Sequence, residues 1–201
     1  MSDAHATGAE HGWVFAVERA YVAAATGGAR ANLDVPRALV ARARAAAFAV
    51  SSRFLAVGTP RSFGVIVAAA DQRADAELVI AAHRTWFAPR DLRIAASRGS
   101  ADDLARALGG DAVAIADVLA SDIACVLDPA LEIRAPQLRR GTHLCVIERE
   151  QLDPELLALA TITDEPTGLP ALAAGLVDGR QLDELTAFIA GDAPIAASAL
   201  M

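Results

Sequence analysis

From residue 62 onward, short apolar runs alternate with segments in which apolar residues recur every three or four positions. The run over 62–69 is almost continuously apolar, which is typical of a strand buried on both faces of a sheet. Strands are expected over 62–69, 91–96, 112–115, 122–127, 142–147 and 160–163. Because strands and helices alternate, we expect an α/β fold with a Rossmann-like parallel sheet and helices on both faces.

Helical segments lie between these strands and at both ends of the chain. Before the first strand, apolar residues at helical spacing predict a helix over 12–25 and an alanine-rich helix over 36–57. Asp34 is placed to cap the second helix, with Pro36 in its first turn. The remaining helices or turns are expected over 71–87, 100–108, 117–119, 136–139, 154–159, 170–176 and 181–190. Extra N- and C-terminal helices therefore flank the predicted sheet.

Composition and charge narrow the possible functions. The net charge is −7 and the pI about 5.0, with no basic stripe, which argues against nucleic-acid binding. All 18 cationic side chains are arginine, so a lysine Schiff base and a P-loop lysine are excluded. No apolar stretch reaches membrane length, and residues 1–11 lack the apolar core of a signal peptide. We expect a cytoplasmic protein with a flexible tail over 1–11 and a single domain over 12–201.

The two cysteines, Cys125 and Cys145, both lie in apolar runs. Neither has CxxC spacing or evident metal-ligand partners along the sequence, so we expect buried, reduced thiols and no metal site. His143 falls inside a predicted strand and is interpreted as a hydrogen-bonded structural histidine. His83 shows no convergent partners.

The turn after the first strand is where a dinucleotide-binding domain places its glycine-rich phosphate turn. Here Ala69 and Asp71 stand at the two glycine positions, and Ala74 stands at the position of the final small residue. A carboxylate ~4 Å from a phosphate, at an effective dielectric constant of ~20, repels it by about 4 kcal/mol, roughly a thousandfold in affinity. Two interpretations stay open: Asp71 weakens a nucleotide site, or it caps the following helix.

Three further candidates follow other predicted strands: Ser97 and Arg98 after the second, and Asp128 after the fourth. The carboxyl ends of parallel strands form the edge at which nucleotides bind. An arginine after the second strand can meet a 2′-phosphate, so any nucleotide would be NADP rather than NAD. The alternative is a solvated turn at Ser97-Arg98 and an exposed turn at Asp128. These residues are cofactor-binding candidates by position only, and no catalytic residue is assigned.

Several segments, in a constant order, resemble the ornithine cyclodeaminase/mu-crystallin family. The likeness is carried by the segments 14–27, 43–55, 121–126, 138–144, 152–157 and 183–188, over roughly residues 13–195. In the fourth of these, Gly141, Thr142 and His143 match the family's Gly-Thr-His directly. The resemblance implies a Rossmann-like nucleotide domain, and a family in which some members bind small ligands without the usual reaction.

The departures from this family imply a reduced, divergent member. Its members usually carry a substrate and dimerisation domain between the first helix and the alanine-rich helix, where this chain has only the loop near 30–36. The substrate-binding arginine and lysine of that domain are therefore missing. The loop after the Gly-Thr-His strand is shortened to 148–151, where Glu148 and Glu150 are either substitutes for a catalytic aspartate or solvated charges.

We predict a non-catalytic accessory or assembly subunit, because the chain lacks the glycine-rich turn, lysine, the substrate domain and a recognisable catalytic loop. We expect no cofactor, or NADP if any. A protein partner or self-association is expected, through the alanine-rich helix over 43–50 or the first helix, with no nucleic acid and no membrane. Two alternatives stay open: a protein that binds NADP or another small ligand, and a cyclodeaminase-like enzyme completed by a partner chain.

Overall fold

The computed structural model describes residues 12–25, 37–56, 58–165, 168–175, 185–191 and 193–201. The helices are α1 (Gly12–Ala25), α2 (Arg37–Leu55), α3 (Arg73–His83), α4 (Asp102–Leu108), α5 (Ile115–Leu119), α6 (Pro154–Leu159), α7 (Gly168–Ala173) and α8 (Pro194–Ala199). The strands are β1 (Ser62–Val67), β2 (Asp91–Ala96), β3 (Asp111–Ala112), β4 (Ile123–Val126), β5 (His143–Val146), β6 (Thr161–Asp164) and β7 (Thr186–Ile189). The predicted tail over 1–11, and the predicted helix start at Asp34 and Pro36, lie outside the described residues. None of the described helices is long and apolar enough to cross a bilayer.

The seven strands form one parallel sheet in the order β3-β2-β1-β4-β5-β7-β6. The chain builds outward from β1 through β2 and β3, then returns to the centre and continues from β4 on the other side. The strand order thus reverses between β1 and β4, and α/β sheets bind their ligands in the crevice at the carboxyl ends beside such a point. The predicted Rossmann-like α/β fold is confirmed, and its strand order places the expected ligand crevice at this carboxyl edge.

Alternating side chains of the central strands pack against two separate layers. On one face, side chains such as Phe63, Cys125 and Cys145 pack with buried residues of α1, α2, α3 and α8. On the other, side chains such as Ala124 and Leu144 pack with buried residues of α5 and α6. Because side chains alternate along a strand, both cysteines face the layer that contains α2 and α3.

Several predicted elements differ from the structure. Residues 186–189 form strand β7 instead of belonging to a helix over 181–190, of which 181–184 lie outside the described residues. Residues 115–119 form helix α5, and the strand before it is only two residues long. Helix α8 is not predicted by the sequence at all. Short apolar runs explain these errors, because periodicity alone does not separate a buried strand from a buried helical turn.

Candidate functional site

The turn after β1 is a single 3₁₀ turn, Ala70–Gln72, and α3 begins directly behind it. Ala69 precedes the turn with an extended backbone, and Ala74 is exposed in the first turn of α3. Neither the 3₁₀ turn nor α3 has a side-chain N-cap, so the prediction that Asp71 caps the helix is wrong. Asp71 is exposed, and since water screens its charge, its repulsion of a phosphate at ~4 Å falls toward about 1 kcal/mol.

Gln72, and not Asp71, satisfies the backbone of this turn. Its Oε1 accepts a hydrogen bond from the backbone N–H of Ala68 at 2.7 Å. The side chain thus runs from the N-terminus of α3 back to the end of β1, across the turn against which a pyrophosphate would lie. The Gln72 side-chain oxygen therefore already accepts a hydrogen bond at the place where a dinucleotide would present its phosphates.

Ser97, Arg98 and Asp128 meet beside this turn. Ser97 Oγ donates a hydrogen bond to Asp128 Oδ2, and the Asp128 Oδ1 accepts one from Ala130 N at 3.0 Å. The backbone N–H of Arg98 donates to Ala68 O at 3.0 Å. Asp128 is only 5% exposed, so the prediction of an exposed turn there is wrong. The predicted candidates are therefore neighbours at one edge of the sheet. However, Ser97 and Asp128 hydrogen-bond to each other and so already have partners within the chain.

A second glutamine closes the end of β5. Gln151 is buried, and its Oε1 accepts hydrogen bonds from the backbone N–H groups of Ile147 at 2.9 Å and Glu148 at 2.8 Å. Its Nε2 donates to Asp128 O at 2.9 Å, which ties the loops after β4 and β5 together. Glu148 and Glu150 are exposed, in agreement with the interpretation as solvated charges.

The sequence analysis missed both glutamines because a side-chain amide belongs to no recognised motif. Their positions carry a signal nevertheless. Each glutamine lies five residues after the last residue of a strand, at 72 after 67 and at 151 after 146. Each also bonds the backbone N–H four residues before it, Ala68 or Ile147.

A cavity of about 220 Å³ opens at the same edge, between α2, α3 and the loops after β4 and β5. Among the residues that line it are Arg44, Gln72, Asp75, Leu127 and Glu148. Sites for drug-sized ligands usually measure about 300–1,000 Å³, so this space suits a small molecule better than a dinucleotide.

The cysteines are free and buried, as predicted. The prediction that His83 has no partners is wrong, because its Nε2 lies 3.8 Å from Cys125 Sγ and 3.0 Å from Ser52 Oγ. His143 is hydrogen-bonded and buried, with its Nδ1 2.9 Å from Thr186 Oγ1. These side chains lie inside the helix-covered face of the sheet, away from its carboxyl edge.

No protein-family profile matches this chain, and no curated protein matches its sequence. Solved structures do match. The iminosuccinate reductase of Paracoccus denitrificans with NAD⁺ has a TM-score of 0.68 at 21% identity, over 82% of this chain and 63% of that one. An archaeal alanine dehydrogenase dimer with bound NAD has 0.67 at 18%, over 80% and 62%. A probable ornithine cyclodeaminase from Bordetella pertussis Tohama I has 0.62 at 20%, over 81% and 65%.

These likenesses establish the fold. Two of the similar proteins carry a nicotinamide cofactor, and one is a probable ornithine cyclodeaminase, in agreement with the resemblance seen in the sequence. The chain spans less than two thirds of the length of each of these proteins.

Proposed function

We propose that this protein is a divergent, non-catalytic relative of the ornithine cyclodeaminases that serves as an accessory or assembly subunit. In this proposal its carboxyl edge does not hold a dinucleotide. The observation that supports this most strongly is the hydrogen bond from Ala68 N to Gln72 Oε1, which runs across the phosphate turn.

Three further observations support the proposal. Ser97 and Asp128, which lie where a nucleotide ribose and its neighbours would bind, bond to each other. The cavity of about 220 Å³ is smaller than a dinucleotide requires. The absence of lysine also removes one side chain that the family uses for its substrate.

Calorimetric titration with NADPH and NADH tests the proposal. We expect the wild-type protein to show no binding tighter than about 1 mM, and the variant Asp71→Gly/Gln72→Ala to bind NADPH at least tenfold more tightly, because an acceptor and a negative charge have left the turn. The matched control, Asp103→Ala/Gln137→Ala, removes an exposed aspartate and an exposed glutamine elsewhere and should behave as wild type.

Micromolar binding of NADPH or NADH by the wild-type protein would contradict the proposal. An activity assay adds a second test, in which the protein alone is incubated with a cyclic imine and NADPH, or with ornithine and NAD⁺. Turnover that Asp128→Asn abolishes would show an enzyme and would exclude a non-catalytic role.

One observation favours a second candidate, a protein that binds the 2′-phosphate end of NADP. Arg98 is exposed beside the turn after β1, and its guanidinium makes no hydrogen bond or ion pair to a described residue. Adenosine 2′,5′-bisphosphate isolates this interaction because it lacks the pyrophosphate. Binding of this compound, lost in Arg98→Gln, would support the second candidate, and absence of binding would exclude it.

The expected association with a partner needs a different surface. The alanine-rich stretch 43–50 is buried inside the chain except at Arg44, and the apolar face of α1 is buried with Val14, Val17 and Tyr21. Phe15 and Val22 are each 38% exposed and lie seven residues apart on α1, where the Phe15 ring also packs edge-on against Trp86. Light scattering tests this surface: Phe15→Ser/Val22→Ser should reduce any oligomer to the 20.8 kDa monomer. A wild-type monomer would exclude self-association.

A further inference from the structure

A group of buried polar side chains lies between the sheet and helices α2 and α3. We call it the thiol–imidazole cluster, and its members are Ser51, Ser52, His83, Cys125, His143 and Cys145. Strands β4 and β5 place Cys125 and Cys145 side by side in parallel register. The end of α3 adds His83 from the opposite side. The fold thus gathers sulfur and nitrogen donors from distant parts of the chain in an otherwise apolar layer.

Three of these donors have the spacing of ligands around one metal ion. His83 Nε2, Cys125 Sγ and Cys145 Sγ all lie within 4.8 Å of one another. The distance from His83 Nε2 to Cys125 Sγ is 3.8 Å. On a tetrahedral zinc ion with bonds of ~2.0 Å to nitrogen and ~2.3 Å to sulfur, such a pair is about 3.5 Å apart.

A hydrogen bond from the other ring nitrogen, Nδ1, orients the imidazole of His83. Its Nδ1 lies 2.8 Å from Val79 O, and because a carbonyl oxygen only accepts, Nδ1 must donate the proton. In the neutral ring, Nε2 then presents its lone pair to the Ser52 hydroxyl at 3.0 Å and to the Cys125 thiol at 3.8 Å. Histidines that bind metals commonly make this second contact, which fixes the tautomer and the direction of the free lone pair.

We propose that His83, Cys125 and Cys145 bind a zinc ion. Two thiolates and one neutral imidazole give Zn²⁺ a site without net charge, whereas Cu⁺ would leave a negative charge in a buried layer. Binding forms one Zn–N and two Zn–S bonds and releases the proton of each thiol to solvent. Ser52 Oγ, 3.0 Å from His83 Nε2 and 3.7 Å from Cys145 Sγ, is within reach of the fourth position.

His143 is a positioning residue in this proposal. Its Nε2 lies 3.3 Å from Cys145 Sγ, while Thr186 holds its Nδ1. Burial acts to raise the pKa of the Cys145 thiol, but the neighbouring Cys125 and the imidazole of His143 lower it to well below its usual value. Burial raises the pKa of the Cys125 thiol.

At the amino edge of the sheet, a cavity reaches one member of the cluster, His83. This cavity of about 180 Å³ is lined by Phe63, His83 and Leu92, among other residues. The zinc proposal is independent of the proposed function, which depends on the carboxyl edge, so either can fail without the other.

The experiment uses the full chain, purified with a reducing agent, treated with a chelator and titrated with Co²⁺ as a spectroscopic probe for Zn²⁺. We expect one ion per chain, a thiolate-to-cobalt charge-transfer band, two protons released per ion, and displacement of Co²⁺ by Zn²⁺. Because the chain has only two cysteines, such a band can come only from Cys125 and Cys145. The wild-type protein alone therefore decides the question, even if a cysteine variant fails to fold.

Variants then assign the ligands. Loss of an outer-shell partner weakens metal binding 10–100-fold, so loss of a ligand in Cys125→Ala, Cys145→Ala or His83→Asn should weaken Co²⁺ binding by more than ~100-fold. The control His5→Asn/His11→Asn, outside the described residues, should bind as wild type. His143→Gln should retain the band and weaken Co²⁺ binding by about 10–100-fold, as loss of an outer-shell partner does. Absence of the band at stoichiometric Co²⁺, or unchanged binding in folded Cys145→Ala, would overturn the proposal.

Discussion

Gln72 and Gln151 each turn a side-chain amide back onto the strand that precedes them. Backbone N–H groups at the carboxyl ends of parallel strands are the donors that α/β proteins offer to their ligands. At two of these strand ends, a glutamine side chain accepts the backbone hydrogen bonds, which stabilises the loops and leaves fewer donors in the cleft. A buried N–H must be paired, so a chain that has no ligand at this edge needs such an internal acceptor.

Gln151→Ala should destabilise the protein strongly. The change removes the acceptor of the Ile147 and Glu148 N–H groups and one of two donors to the Asp128 carbonyl, which keeps the Leu131 N–H. We expect a loss of about 2–4 kcal/mol in the free energy of unfolding, measured by urea denaturation. Gln137→Ala is the control, because Gln137 bonds the Arg134 N–H in the same way but is exposed, and it should cost less than about 1 kcal/mol. Equal losses in both variants would contradict this explanation.

Glu165 makes the stability of the fold depend on pH. Burial raises its pKa from 4.5 to about 7, although hydrogen bonds from Ala196 N and the Tyr21 hydroxyl oppose the shift. Between these two values the folded protein retains a proton that the unfolded chain has lost. This contribution to stability is therefore full below about pH 4.5, and it is lost as the pH rises through about 7, by about 3 kcal/mol.

Glu165→Gln should remove this dependence because the glutamine stays neutral. Urea denaturation of wild type and variant at several values between pH 4.5 and 8 measures it, and their difference should change by about 3 kcal/mol in favour of the variant at high pH. Glu150→Gln, at an exposed position, should keep the wild-type slope. Parallel curves for wild type and Glu165→Gln would contradict the assignment.

At the scale of elements, the strand–helix alternation was predictable because each central strand is a buried apolar run. The secondary structure near the end of the chain was not predictable, since Thr186–Ile189 is a short, mostly apolar segment that fits a helix as well as a strand. Its place between β5 and β6 depends on pairing with residues distant in sequence.

The thiol–imidazole cluster also depends on contacts between residues distant in sequence. The register of the predicted strands nevertheless indicates part of it. Cys125 and Cys145 are each the fourth residue of their predicted strands, 122–127 and 142–147. Neighbouring parallel strands that start in step place such residues side by side. His143, two residues before Cys145, must then share its face of the sheet. The contribution of His83 from a helix required the structure.

The packing of α5 on β1 depends on Gly64. A Cβ atom there would lie 2.5 Å from Val118 Cγ1 and 2.9 Å from Val118 O, so helix and strand would have to separate. We expect Gly64→Ala to lower the free energy of unfolding by about 1–3 kcal/mol, with partial recovery in Gly64→Ala/Val118→Ala. Gly12→Ala, where a Cβ meets nothing within 4 Å, is the control and should be neutral. A stable Gly64→Ala protein would show that α5 moves without cost.

At the scale of the whole molecule, the two edges of the parallel sheet carry different groups of polar side chains. The carboxyl edge has the strand order of a nucleotide-binding fold, but Gln72, Ser97 and Asp128 are occupied with internal bonds. The interior and amino side hold the cysteines and His83. Likeness to enzymes that carry nicotinamide cofactors shows the fold of this chain and does not by itself assign it their cofactor.

The most direct test follows the backbone amides of the phosphate turn by ¹⁵N NMR while NADPH is added to the wild-type protein. With Gln72 bound to Ala68 N–H, the signals of residues 68–73 should stay unchanged up to about 1 mM NADPH, a concentration at which even weak ligands bind. Saturable shifts confined to these amides, at micromolar NADPH, would place the pyrophosphate against the turn and contradict the account.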